Sequence, residues 1–246
     1  MEPGGTLEPA DAQRGSDPEG VFVYEFTYSK TGTAIWLGHL DVMRTMERAV
    51  RRARWPVALT QGYNPRLRLR FVFPSSVGLA VLADVLFIDL TRPLSGTGDT
   101  RCDDRTIDNA PMLEALNCAL PSGIAVGGGI LVPQDQRKHA LGAYSIADYQ
   151  IVCRWPRVSG VAQPEDAVRG LLAADQIETR KGPQRLGGFL ISLTVSSRTD
   201  DTVHLDCSVR FGQNGTIKPA DLVRALAAER PDIALASAVR TGLRIG

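Results

Sequence analysis

Charged and hydrophobic residues alternate one by one in a short segment of the chain, residues 66–73, which reads RLRLRFVF. Successive side chains of a β-strand point to opposite faces, so this alternation predicts a strand. One face would carry hydrophobic side chains, and the other would carry Arg66, Arg68 and Arg70. Three cations spaced roughly 6.5 to 7 Å apart repel one another. We therefore expect them to meet either carboxylates of adjacent strands or an anionic partner outside the protein.

Hydrophobic patterning divides most of the chain into two runs of elements. In the first run, a hydrophobic stripe from Leu40 to Ala53, at three- and four-residue spacing, predicts a helix that ends before Pro56. Segments rich in β-branched and aromatic residues predict the strands. The predicted order is strand, helix, strand, strand, helix, strand, over residues 21–29, 39–54, 66–73, 84–91, 107–120 and 124–132.

The second run repeats this order over residues 145–155, 164–174, 189–197, 203–211, 218–229 and 234–245. We therefore predict an α+β fold of two tandem ferredoxin-like (βαββαβ) units, each an antiparallel sheet with its helices on one face. The other face would be free to meet a partner. The predicted organisation is a disordered tail rich in Gly, Pro and acidic residues, a first unit, a linker and a second unit: residues 1–20, 21–132, 133–144 and 145–246.

Composition excludes several classes of protein. With 246 residues, 43% hydrophobic and 22% charged, the chain is typical of a globular protein that needs no disulfides. No hydrophobic run reaches the 18 or so residues that span a bilayer, and residues 1–20 lack the features of a secretion signal. We therefore predict a cytoplasmic protein without a membrane partner.

The cysteines and histidines are too dispersed to form a recognisable metal motif. No two of the four cysteines are close enough for a CxxC pair, and the three histidines show no metal-binding spacing. We predict no metal and no cofactor. A [4Fe–4S] cluster in particular needs closely spaced cysteine thiolates.

Positive charge is concentrated in one segment although the whole chain has a net charge of only +1. Residues 30–73 contain nine basic and two acidic residues, so this segment carries +7 and the remainder −6. Four of the arginines, at positions 44, 48, 51 and 52, fall on the predicted helix, where neighbours four residues apart repel each other. A localised basic segment predicts one anion-binding surface.

A conspicuous motif lies in this basic segment, at residues 38–65: GHLDVMRTMERAVRRARWPVALTQGYNP. It resembles the signature of a bacterial family of unknown function described as radical-SAM-linked proteins. The resemblance is carried on the helix by His39, Leu40, Asp41 and Arg44, and in the turn by Gln61, Gly62, Tyr63, Asn64 and Pro65. The family turn continues Asn-Pro-His-Pro, whereas Arg66 and Leu67 follow here, so a role for that histidine does not transfer.

The resemblance implies an accessory protein, because members of the family are fused to, or encoded beside, a radical S-adenosylmethionine protein, in gene neighbourhoods that suggest RNA metabolism. Arginines grip phosphate bidentately and an exposed tyrosine stacks on bases. We therefore expect a non-catalytic accessory of a radical-SAM enzyme that binds tRNA or rRNA. The expected binding residues are Arg44, Arg48, Arg51, Arg52, Gln61, Tyr63, Asn64, Arg66, Arg68 and Arg70, with Asp41, Gly62 and Pro65 as structural residues of the motif.

Two alternatives from other classes stay open. His39 beside a basic surface could act as a general base in a metal-independent endoribonuclease, although it is only a weak candidate catalytic residue. The basic segment could instead dock an acidic surface of the radical-SAM partner, without RNA.

Overall fold

The computed structural model describes residues 20–94, 106–107, 110–156, 163–179, 182–227, 230 and 232–246. The predicted tail, residues 1–20, lies outside the described residues apart from Gly20. The protein is a mixed α+β structure with a mostly antiparallel sheet, and the described residues contain five α-helices. None of the described helices is both long and apolar enough to cross a membrane.

The first half follows the predicted order of elements with small changes. Its elements are β1 (Phe22–Lys30), a 3-10 helix (Gly32–Trp36), α1 (His39–Arg52), β2 (Leu69–Phe71), β3 (Ala80–Leu90), β4 (Thr106–Ile107), α2 (Ala110–Ala119) and β5 (Ile124–Leu131). The alternating segment forms a regular ladder only over the three residues of β2, where Leu69 pairs with Ile88 and Phe71 with Leu86.

The second half adds elements that the sequence analysis did not assign. They are α3 (Arg137–Ala143), which occupies most of the predicted linker, and the hairpin of β7 (Gln176–Thr179) and β8 (Gly182–Arg185). The other elements are β6 (Tyr144–Arg154), α4 (Pro164–Ala173), β9 (Leu190–Arg198), β10 (Thr202–Arg210), α5 (Pro219–Ala227) and β11 (Ala234–Ile245).

Strands of both halves join one nine-stranded sheet, in the order β4-β5-β1-β3-β11-β6-β10-β9, with β2 also paired to β3. The sequence analysis expected separate sheets. The halves meet because β3 is long: β2 covers its C-terminal part, which leaves Ala80 and Val81 to pair in parallel with Val239 and Arg240 of β11. This short parallel pairing, the β3–β11 joint, is where the two halves share the sheet.

Helix α1 packs on the sheet through a stripe that differs from the predicted one. Val42, Met46, Ala49 and Val50 are buried against β1 and β3, whereas Leu40, the first residue of the predicted stripe, is 62% exposed. The opposite face of the sheet is not open throughout. There, Val23, Val85, Phe87 and Val132 form a small cluster against which Ala140 and Leu141 of α3 pack.

Candidate functional site

Helix α1 presents its arginines to solvent. Its first turn is closed by Asp41, whose Oδ2 accepts a hydrogen bond from the backbone N–H of Gly38 at 3.3 Å, and a carboxylate there also suits the positive end of the helix dipole. Arg44, Arg48, Arg51 and Arg52, three or four residues apart, are all exposed and share one side of the helix. A terminal nitrogen of Arg44 lies 3.9 Å from Oδ1 of Asp41. Arg48, Arg51 and Arg52 form no ion pair with any described residue.

A projecting turn, residues 61–65, follows α1 after eight intervening residues. Leu59 and Leu67 form a β-bridge, and the backbone N–H of Thr60 donates to the carbonyl of Arg66 at 2.7 Å. Between these residues Gly62 has a φ of +135°, a conformation that glycine adopts readily. The side chain of Tyr63 is 100% exposed. The turn also exposes Gln61, Asn64, Pro65 and Arg66.

Arg68 and Arg70 have a different environment from Arg66. Both pair with Asp89 of β3, a fully buried carboxylate: Arg68 Nε lies 2.6 Å from Oδ2, and an Arg70 terminal nitrogen lies 2.5 Å from Oδ1. The guanidinium of Arg70 also lies over the ring of Phe87. Of the two explanations for the alternating segment, the structure therefore favours the carboxylate of an adjacent strand at these two positions.

The sheet separates this pair from the helix arginines. Leu67, Leu69 and Phe71 pack against the same cluster as α1, so alternation places Arg68 and Arg70 on the opposite face. The structure therefore brings the four helix arginines together on one side of α1, with the projecting turn next along the chain, but it does not extend this group across β2. We call the exposed residues Arg44, Arg48, Arg51, Arg52, Gln61, Tyr63, Asn64 and Arg66 the basic surface.

His39, the candidate general base, is partly buried at the start of α1. Its ring stands edge-on to the ring of Phe71, with centroids 5.5 Å apart. Its Nδ1 is buried and has no hydrogen-bond partner among the described residues. Burial, with smaller contributions from the positive charges of Arg240 and Lys30, lowers the pKa of His39 below its usual value. Among the described residues, no carboxylate therefore holds His39 in a catalytic orientation.

A buried ionic group that the sequence analysis missed lies beside the β3–β11 joint. Asp84 of β3 accepts hydrogen bonds from two nitrogens of Arg240, one of them at 2.8 Å, and from the hydroxyl of Tyr28 at 3.2 Å. The same guanidinium donates to the carbonyls of Phe73 and Pro74. The available signal was an ionisable residue inside each of two hydrophobic strands, but sequence does not show that the two strands are adjacent.

Lys30 is a second buried cation near this joint. Its ammonium donates to the carbonyls of Ser76 at 2.8 Å, Leu37 at 3.1 Å and Ile35 at 3.4 Å. Burial lowers the pKa of Lys30 to about 8. Arg240 and Lys30 together therefore fix the backbone of residues 73–76 through carbonyl groups, and both cations are almost completely enclosed.

Metal-ligating residues do not gather in the part of the chain that the structure describes, where no group of three or more His, Cys, Asp or Glu side chains is placed to hold an ion. Cys153 and Cys207 are buried thiols, and burial raises the pKa of each to about 12. Cys118 is exposed, and Cys102 lies outside the described residues.

Comparison with known protein families identifies a family. Residues 24–219 match the family described as "Uncharacterized protein conserved in bacteria (DUF2344)". The chain belongs to this family. The match extends from β1 to the start of α5 and therefore includes the basic surface, Asp84 and Lys30, although Arg240 lies beyond it. No curated protein matches the sequence.

Several solved structures align with most of this chain at low similarity. An archaeal box H/ACA sRNP Nop10-Cbf5 complex has a chain with a TM-score of 0.43 and 10% identity, with 91% of this chain and 48% of that chain covered. A chain of an H/ACA RNP bound to a substrate RNA containing 2′-deoxyuridine has a TM-score of 0.44 and 10% identity, with 92% of this chain and 47% of that chain covered. An unknown protein from Galdieria sulphuraria has a TM-score of 0.24 and 12% identity, with 88% of this chain and 99% of that chain covered. The chain thus spans about half the length of the two H/ACA chains, and similarity at this level carries no functional argument.

Proposed function

We propose that this protein is a non-catalytic accessory that binds RNA, either tRNA or rRNA, through the basic surface. The observation that carries the proposal is the row of exposed arginines on α1, three of which form no ion pair with any described residue. Arginines four residues apart on a helix repel each other, which mildly destabilises the helix. Phosphates of a bound nucleic acid would relieve this repulsion and accept bidentate hydrogen bonds.

The projecting turn supplies what the arginines lack. The completely exposed ring of Tyr63 offers a face on which an unpaired base can stack, and the neighbouring amides of Gln61 and Asn64 can hydrogen-bond to base edges. Arg68 and Arg70 take no direct part in this proposal, because Asp89 already neutralises part of their charge on the other face of the sheet.

The test is binding of labelled tRNA and rRNA fragments by fluorescence anisotropy across a salt series. The wild-type protein is compared with Arg48/Arg51/Arg52→Gln and with a matched control, Arg154/Arg169/Arg185→Gln, which changes three exposed arginines of the second half. Each lost phosphate contact lowers the slope of log K against log salt by about 0.7 to 0.9. We expect the slope for the first triple variant to be smaller by about 2 to 3 and the slope for the control to match wild type.

Two results would contradict the proposal. One is equal loss of binding in the two triple variants, which would show a nonspecific effect of charge. The other is absence of wild-type binding at about 0.1 M salt, where electrostatic attraction still acts over about 10 Å. If instead a protein partner binds salt-sensitively through the same arginines and RNA does not, the basic surface is a protein docking site.

We further propose a radical-SAM enzyme as the partner and the cytoplasm as the location. The support is the resemblance of residues 38–65 to radical-SAM-linked proteins, and co-purification with a radical-SAM protein from the same genome would test it. Cleavage of RNA by His39 has no comparable support, because the ring packs on Phe71 and its buried nitrogen has no partner among the described residues.

We interpret the two halves, residues 21–132 and 145–246, as tandem ferredoxin-like units. In the first half, β1 and β2 flank α1 in sequence and β3 lies between them in the sheet. In the second half, β6 and β9 flank α4 and β10 lies between them. Both arrangements correspond to the split βαβ motif of ferredoxin-like folds.

A further inference from the structure

A cleft of about 340 Å³ lies at the boundary between the two halves. One wall is the segment of residues 73–79, and the other is formed by residues 216–220 and by β11. Most of the lining is apolar, contributed by Phe73, Val77, Leu79, Ile217, Leu235 and Ala238. A volume of this size is in the range of small-molecule sites, which are also mainly apolar with a few polar groups.

Buried cations hold the first wall in place. Arg240 donates to the carbonyls of Phe73 and Pro74, and Lys30 donates to that of Ser76. The ring of Phe73 contacts the guanidinium of Arg240, 4.5 Å from its centroid, and stacks on the ring of Phe211. A wall fixed in this way does not have to be ordered when a ligand binds, which reduces the free-energy cost of binding.

The charges of the cleft have a definite arrangement. None of its lining residues in the described structure is acidic. Arg240 is 1% exposed and is neutralised by Asp84, so this residue adds no free charge to the lining. Lys218, which also lines the cleft, is exposed and forms no ion pair with a described residue. The one uncompensated cation of the lining therefore lies at the solvent end.

Tyr149 adds a hydrogen-bond donor to the lining. Its side chain is 4% exposed, and its hydroxyl accepts a long hydrogen bond from Arg240, at 3.5 Å. Among the described residues, no acceptor takes the proton of this hydroxyl. Buried hydroxyl groups normally donate as well as accept, so a ligand acceptor in the cleft would complete the hydrogen bonding of Tyr149.

We propose that this cleft binds a small amphipathic anion, with a flat apolar body between the walls and a carboxylate, sulfonate or phosphate group beside Lys218. Apolar walls alone would accept neutral ligands equally well, but a lysine at the mouth that forms no ion pair with a described residue favours an anionic end group. The cleft is separate from the basic surface, and the proposal does not depend on RNA binding.

The probe for this site is 1-anilinonaphthalene-8-sulfonate, a flat apolar anion whose fluorescence rises in apolar surroundings. Its neutral analogue N-phenyl-1-naphthylamine lacks only the sulfonate. Both are titrated into wild-type protein and into three variants: Lys218→Gln, which removes the cation; Ala220→Trp, which fills the mouth from an exposed position of α5; and Lys138→Gln, a control at an exposed lysine of α3.

We expect one saturable site for the anionic probe in the wild-type protein. Lys218→Gln should weaken binding of the anionic probe by about fivefold, which is the effect of one partly screened charged contact. It should leave binding of the neutral analogue unchanged. Ala220→Trp should weaken binding of both probes, and Lys138→Gln should weaken binding of neither. The proposal is overturned if the anion does not saturate, if Lys218→Gln and Lys138→Gln behave alike, or if a folded Ala220→Trp protein binds both probes like wild type. Circular dichroism checks the folding, and the exposed Lys218→Gln site keeps the test valid if Ala220→Trp unfolds.

Discussion

Arg240 of β11 donates two hydrogen bonds to the carboxylate of Asp84 on β3, and neither side chain is more than 1% exposed. The two residues belong to different halves of the chain, at the joint where those halves share a sheet. A buried ion pair contributes little net stability, but removing one partner leaves the other charge buried and unpaired. The pair therefore makes the position of each half depend on the other.

Substitutions at this pair should be strongly non-additive. Asp84→Leu or Arg240→Met alone should lower the free energy of unfolding by about 3 to 5 kcal/mol. The double variant Asp84→Leu/Arg240→Met should lose much less, because it leaves neither member of the pair buried without its partner. Urea denaturation measures all three. Arg244→Ala, which breaks the partly exposed pair with Asp148, is the control and should cost about 1 kcal/mol or less. Additive losses would show that the pair is not coupled.

The arginines of the alternating segment should differ in how much their removal destabilises the protein. Arg68/Arg70→Ala leaves the buried carboxylate of Asp89 without its cations, so we expect a loss of about 3 kcal/mol or more in the free energy of unfolding. Arg66→Ala should change it by no more than about 0.5 kcal/mol, because Arg66 is exposed and unpaired among the described residues. Equal effects in chemical denaturation would contradict the pairing.

Lys30 should make stability depend on pH in the alkaline range. Its pKa is lowered to about 8 by burial, against about 10.5 in an unfolded chain, so the unfolded state binds more protons between these values. The contribution of Lys30 to the free energy of unfolding therefore rises as pH increases from 8 to 10.5, by at most about 1.4 kcal/mol per pH unit. Comparison of wild type with Lys30→Met by urea denaturation at several pH values isolates this slope. An identical pH dependence in both proteins would show that Lys30 titrates normally.

His39 should make stability depend on pH in the acidic range. Because burial lowers its pKa, the unfolded chain binds more protons than the folded protein as pH falls below about 6.5. The protein should thus lose stability in this window, and His39→Gln should lose less. Nuclear magnetic resonance titration of the imidazole measures the pKa directly. A value at or above 6.5 would contradict the buried position of the ring.

Local patterning predicted the order of most elements, because strand alternation and helix spacing are properties of neighbouring residues. It placed Leu40 in the core incorrectly, since a residue in the first turn of a helix can satisfy the periodicity and still lie beyond the edge of the sheet. The alternation of Arg68 and Arg70 with hydrophobic residues predicted a strand over residues 66–73, of which only Leu69–Phe71 form one. Whether Asp89 or a partner meets these arginines depended on the pairing of β2 with β3, which local sequence does not specify.

The joined sheet and the cleft could not be predicted for the same reason. Both depend on β11 lying beside β3, and no property of either strand alone indicates that contact. The basic segment was found from sequence because charge can be counted along the chain. Its division by the sheet into exposed and carboxylate-paired arginines required the fold.

The contact between Asp84 and Arg240 joins residues that are 156 positions apart in the chain. During synthesis at roughly 5 to 20 residues per second, the ribosome completes β3 on the order of ten to thirty seconds before it releases the strand that neutralises Asp84. For that interval the nascent first half has an uncompensated acid and an unpaired strand edge at Ala80 and Val81. The first half therefore gains the cation of Asp84 and the pairing of this strand edge only after β11 has been translated.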